Sequence, residues 1–135
     1  MRFSNREQYG LRAMVEFARR YGNGPVSLAD IAEAQDISLS YLEQIVGPLR
    51  KAGLLQSWRG AYGGYSMSAP PAEVTAGDVI RALAGPLVPV KCVTGGKGAE
   101  LCDREGHCTA RAVWQKVRDR LEEALDSTTL ADLVA

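Results

Sequence analysis

The sequence predicts a mainly α-helical fold with one small β-hairpin and a long C-terminal helix. Three observations carry this. Apolar residues recur at helical spacing through most of residues 4–53. Two short β-prone runs, 54–58 and 65–68, flank the Gly-rich turn "RGAYGG". Near the C-terminus Trp114, Val117, Leu121 and Ala124 are spaced 3, 4 and 3 apart, an a/d-like seam for a second helix.

The elements follow in order. Ser4 caps a first helix whose stripe is Leu11, Met14, Val15 and Ala18, and Gly22, Gly24 and Pro25 end it. Ser27 caps a short second helix with Leu28, Ile31 and Ala32 inward, and Asp30 suits its positive end. The turn "AQDIS" leads to a third helix capped by Ser38, with Leu42, Ile45, Val46 and Leu49 toward the core and Gly53 just past its end. Pro48 inside this helix lacks a backbone donor and crowds the carbonyl of Gln44, so a bend or early ending is expected there. The hairpin comes next, with Trp58 read as core. Thr75 then caps a helix that buries Val79, Ile80 and Leu83. Thr109 opens the last long helix, and "LADLV" adds a final turn.

The chain's 135 residues fit one domain, or one domain with an appended helix, and 46% hydrophobic with 24% charged residues is an ordinary globular balance. Net charge is zero, so no global basic signature marks a nucleic-acid partner. The charge is mildly uneven: residues 1–65 carry 8 Lys/Arg against 6 Asp/Glu, and residues 66–135 carry 8 against 10. There is no N-terminal apolar h-region and no apolar run of membrane-spanning length, so a cytoplasmic protein without membrane or secretory segment is expected.

Three helices and a hairpin in succession give the order of a winged helix–turn–helix. A short second helix and a tight turn set the N-terminal half of the third helix to enter a major groove. The outward residues there are Ser38, Ser40, Tyr41, Glu43 and Gln44. The Ser and Tyr hydroxyls suit phosphates, Gln44 suits the edge of an adenine, and Glu43 suits a cytosine amine. Arg59, beside the Gly-rich tip, suits a narrow minor groove. Against this stands the plainer reading that any three-helix domain shows Ser and Gln on its surface, with Tyr41 a half-buried packing residue.

All three cysteines and the only histidine fall in "CVTGGKGAELCDREGHC", spaced C-x9-C-x5-C. An odd cysteine count without an export signal favours reduced thiols over a disulfide framework. The tight C-x2-C pairing of zinc ribbons is missing, and three thiolates on a Gly-rich stretch suit an iron–sulfur cluster better. Cys108 stands at the start of the last helix, where the dipole favours a thiolate. His107 and Glu7 are the candidate fourth ligands. Three unliganded thiols and a solvated loop histidine are the alternatives. A Cys–His nucleophilic site would need a facing base and an oxyanion pocket, so no enzyme and no small-molecule substrate are expected.

The stretches "SLSYLEQI", "LRKAGL" and "RGAYGGY", and the three cysteines followed by "VWQKVRDRLEEALDSTTLADL", resemble the IscR-like iron–sulfur regulators of the Rrf2 superfamily over almost the whole chain. The resemblance implies a homodimer on palindromic operators. Its winged helix–turn–helix would span 1–84, its cluster-binding segment 85–108, and its dimerisation helix and tail 109–135. It implies Cys92, Cys102 and Cys108 as cluster ligands, a recognition helix with Ser38, Ser40, Tyr41, Glu43 and Gln44, and a wing arginine in Arg59. Members hold a [2Fe–2S] or [4Fe–4S] cluster, and the [2Fe–2S] form is favoured here. Two departures from the IscR type stand out: the first cysteine spacing is longer, and Arg111 stands where that type has a ligand histidine. Another branch has an acidic residue at the eighth position, where this chain has Gln8 with Glu7 beside it, so the fourth ligand stays open. The expected function is a cluster-sensing transcription regulator. The alternatives are a DNA-binding thiol switch or zinc-dependent regulator, and an iron–sulfur carrier that does not bind DNA.

Overall fold

The computed structural model describes residues 3–87 and 109–135. In order these form α1 (Asn5–Arg19), α2 (Leu28–Gln35), α3 (Leu39–Lys51), β1 (Leu55–Trp58), β2 (Gly64–Met67), a 3-10 turn (Pro71–Glu73), α4 (Ala76–Ala84), α5 (Arg111–Asp126) and α6 (Leu130–Val134). The strands pair antiparallel with Leu55 opposite Met67 and Trp58 opposite Gly64.

One core joins the first four helices, the base of the hairpin and the last turn. Phe17 and Met14 of α1, Ile31 of α2, Leu42, Ile45 and Leu49 of α3, Leu55 of β1, Val79 of α4 and Leu130 of α6 are all fully buried in it. The tail therefore contributes to the unit that precedes the cysteines. Thr129 caps α6 in a reciprocal box with Asp132, and a backbone bridge ties the tail to the start of α4: Ala76 N–H donates to the Thr128 carbonyl at 2.8 Å, and Leu130 N–H to the Val74 carbonyl at 2.9 Å.

At Ser27, Thr75 and Gly53 the helix limits follow the sequence signals. Ser27 and Thr75 accept from the backbone N–H of Asp30 and Asp78. Gly53 takes φ +84° just past α3. There the N–H of Gly53 bonds the Arg50 carbonyl and that of Leu54 the Leu49 carbonyl, each at 3.0 Å, which closes the helix in a Schellman turn. This turn hands the chain to β1.

Four expectations need correction. α3 does not end near Pro48 but runs on to Lys51. The residue before the proline is Gly47, which has no Cβ for the proline ring to crowd, and the buried Ile45, Val46 and Leu49 hold the helix on both sides. Ser4 stands at the N-cap of α1 but makes no capping bond to the backbone; its hydroxyl donates instead to the Glu7 carboxylate. Thr109 lies in a turn before α5, whose N-cap is Ala110. Trp58 is not core: it is 51% exposed, because the hairpin extends past the helical layer that covers Leu55 and Met67.

Candidate nucleic-acid interface

The turn between α2 and α3 fixes the presentation of α3. Asp36 adopts a left-handed φ of +53°, which an aspartate tolerates better than most residues. Ile37 N–H then reaches back to the Ala32 carbonyl at 2.9 Å, and the Ile37 side chain is buried. Ser38 follows and accepts from the N–H of Tyr41 at 3.2 Å, starting α3 at once. With Leu42, Ile45, Val46 and Leu49 facing inward, Ser40, Glu43 and Gln44 share the solvent face, and Ser38 is exposed at the helix start.

Tyr41 has a different setting. It is half-buried, and its ring meets that of Tyr9 edge-on at 5.8 Å and 84°. Arg12 lies over the Tyr9 ring at 5.1 Å, and its guanidinium donates to the side-chain and main-chain oxygens of Gln35, at the end of α2. Gln35 in turn donates to Glu16 at 3.0 Å. Burial of Glu16 works against its charge. Hydrogen bonds from Arg20, Gln35 and Arg19 outweigh that and hold its carboxyl below the ordinary 4.5. This chain of contacts braces α3 against α1 and α2. Helical periodicity does not reveal it, because its members flank the apolar stripe; the one sequence signal is the i, i+3 spacing of Tyr9 and Arg12.

The wing is fixed to the body at Val26 and Tyr65, which exchange backbone hydrogen bonds of 2.8 Å in each direction. A Cβ at position 64 would run into the Val26 carbonyl, so Gly64 lets β2 pass this close. At the outer end Trp58 Nε1 donates to Ser66 Oγ across the ribbon at 2.8 Å. Arg59 and Tyr62 are exposed at the tip.

The proposed ligands divide. Cys92, Cys102, His107 and Cys108 lie outside the described residues. Glu7 lies within them, buried in the first turn of α1 with the Ser4 hydroxyl on its carboxylate.

α5 buries none of its residues in this chain. Val113, Trp114 and Val117 are all exposed along it, and an apolar groove runs beside Val113, Val117 and Leu121, edged by Lys116 and Arg120. Its C-terminal end is anchored: Arg81 of α4 donates both terminal nitrogens to the Asp126 carboxylate, at 2.7 and 2.8 Å. That pairing lowers the Asp126 pKa and raises that of Arg81.

Comparison with known proteins gives a consistent neighbourhood. Residues 3–135 match the family model Rrf2, described as an iron-dependent transcriptional regulator. The chain is 45% identical over 135 residues to the HTH-type transcriptional regulator CymR of Bacillus subtilis (strain 168), covering 100% of this chain and 91% of the relative. It is 40% identical to the HTH-type transcriptional regulator IscR of Cronobacter sakazakii, covering 99% of this chain and 80% of that one. Among solved structures, CymR (YrzC), the global cysteine regulator of B. subtilis, superposes with a TM-score of 0.84 at 46% identity, covering 99% and 96% of the two chains. T. potens IscR superposes with a TM-score of 0.79 at 41% identity, covering 99% and 86%.

Proposed function

This chain belongs to the Rrf2 family of transcriptional regulators, and from that premise we propose that it binds palindromic operator DNA as a homodimer, under the control of an iron–sulfur cluster on its three cysteines. The observation that carries the DNA reading is the exposed N-terminal half of α3 followed directly by a hairpin with an exposed tip, the core packing against the inner face of α3 and the hairpin base. Ser38 and Ser40 supply hydroxyls for phosphates, Gln44 a bidentate edge for adenine, Glu43 an acceptor for a cytosine amine, and Arg59 a cation for the minor groove. Tyr41 has a double role: its packing on Tyr9 sets the angle of α3, and its hydroxyl end serves the backbone.

The dimer reading rests on α5. A helix with Val113, Trp114 and Val117 exposed gains stability by covering them with a second copy.

The donor set fits a cluster. Thiolate sulfurs are soft ligands, and Cys92, Cys102 and Cys108 supply three, with Glu7 or His107 as the fourth donor. When bound, the cluster supplies the response to iron or oxidants, with [2Fe–2S] favoured over [4Fe–4S]. The protein supplies the coupling. The cysteine segment joins α4 to α5, and Arg81 with Asp126 clamps the far end of α5 to α4. A change in that segment therefore alters how two copies set the spacing of their α3 helices. Coupling of this kind is worth ~1–3 kcal/mol, or ~5–150-fold in affinity.

A second reading has its own support: the similarity to a global cysteine regulator fits the same three cysteines used as a thiol switch. Anaerobic purification separates the two. The cluster reading expects coloured protein with iron and sulfide, and an operator affinity that changes when the cluster is removed. Colourless protein whose affinity follows reversible thiol oxidation would replace it with the thiol switch, and zinc alone would point to a zinc-dependent regulator.

A further inference from the structure

The wing tip carries a second large side chain besides Arg59. Tyr62 is 94% exposed, on a turn otherwise made of Gly60, Ala61 and Gly63. The turn is tight: Gly63 N–H donates to the Gly60 carbonyl at 3.0 Å, and a Cβ on Gly63 would strike the Trp58 carbonyl. Among the described residues Tyr62 has no hydrogen-bond or ring partner, whereas Trp58 nearby is tied to Ser66. An aromatic ring held out by a constrained turn contributes nothing to the core. Small residues on both sides leave it an unobstructed approach to a flat surface.

We propose that Tyr62 is a backbone-positioning contact of the wing: its phenolic hydroxyl donates to a phosphate oxygen of the operator and its ring packs on the adjoining sugar. This rests on the DNA-binding reading above and adds a residue to it. The Schellman turn at Gly53 starts β1 directly from the end of α3, and four residues of strand carry the tip roughly 13 Å beyond that turn, clear of the helical layer. Tyrosine hydroxyls are regular phosphate donors, and such contacts set register without reading sequence.

A neutral donor leaves a distinctive signature. It releases no condensed counterion, so losing it lowers affinity without changing the salt slope. Arg59→Ala, by contrast, reduces that slope by about 1 per contact. The test uses the full-length protein, a duplex selected by the wild type from a random library, and a scrambled duplex. Anisotropy is read at several salt concentrations, with circular dichroism to verify folding. Tyr62→Ala is expected to weaken both duplexes by the same factor, about fivefold per wing, with the salt slope unchanged. Tyr62→Phe is expected to lose most of the same factor. The proposal is overturned if Tyr62→Ala matches the wild type, if only the selected duplex is affected, or if Tyr62→Phe retains full affinity. A wild type that binds no duplex overturns the DNA-binding reading itself, and this contact with it.

Discussion

Gln44 and Glu16, on α3 and α1, carry different burdens. Gln44 is free on the outer face of α3 and has no part in the core. Gln44→Ala should leave the melting temperature and scrambled-duplex binding unchanged while weakening operator binding about tenfold per half-site, since one bidentate base contact discriminates by ~1–3 kcal/mol. Competition anisotropy against the scrambled duplex reads this directly. Glu16 is buried and gathers Arg19, Arg20 and Gln35. Its folded pKa is depressed, so the stability it contributes is present above its unfolded value, near 4.5, and is lost as pH falls through the lower folded value. The melting temperature of Glu16→Gln should therefore lie below that of the wild type at pH 7, and the gap should close on acidification below 4.5. A gap that stays constant with pH would mean the loss is one of packing.

Helix limits were legible because they depend on neighbours in sequence. Ser38 caps α3 through an N–H three residues on, and Ser38→Ala should cost about 1 kcal/mol, measured by urea denaturation, with fraying of the α3 start that serves the groove. Gly53, Ser27 and Thr75 were legible for the same reason. What escaped was settled at a distance. Pro48 reads as a breaker, yet α3 continues because Gly47 and the buried face around it outweigh the lost bond. Trp58 reads as core by type, but its exposure depends on how far the hairpin outruns the helical layer. The brace from Tyr41 through Tyr9 and Arg12 to Gln35 joins three helices, and no periodicity along one helix encodes it. The outward set on α3 was legible as a face, since burying one stripe fixes the opposite one. The cysteines were legible only by type and spacing.

Taken as one body, the chain buries its last turn and exposes the helix before it. Val117→Asp places a charge within the apolar row of α5, where it disturbs no buried contact of the single chain. It should leave the melting profile of the monomer intact, abolish the dimer in sedimentation, and lower operator affinity by roughly a hundredfold or more as bivalent engagement is lost. Leu130 has the opposite character: it is fully buried, and the bridge between Thr75 and Thr129 holds it in place. These two facts, with the Arg81–Asp126 pair, anchor α5 at its C-terminal end. With 16 residues it is about 24 Å long. Its Asp126 end is pinned to Arg81 and to the tail, so a shift of 1 Å at the Arg111 end corresponds to a tilt of only about 2°. The pinned end fixes the pivot, and the cysteine segment enters at the opposite end, where a given push has the greatest leverage.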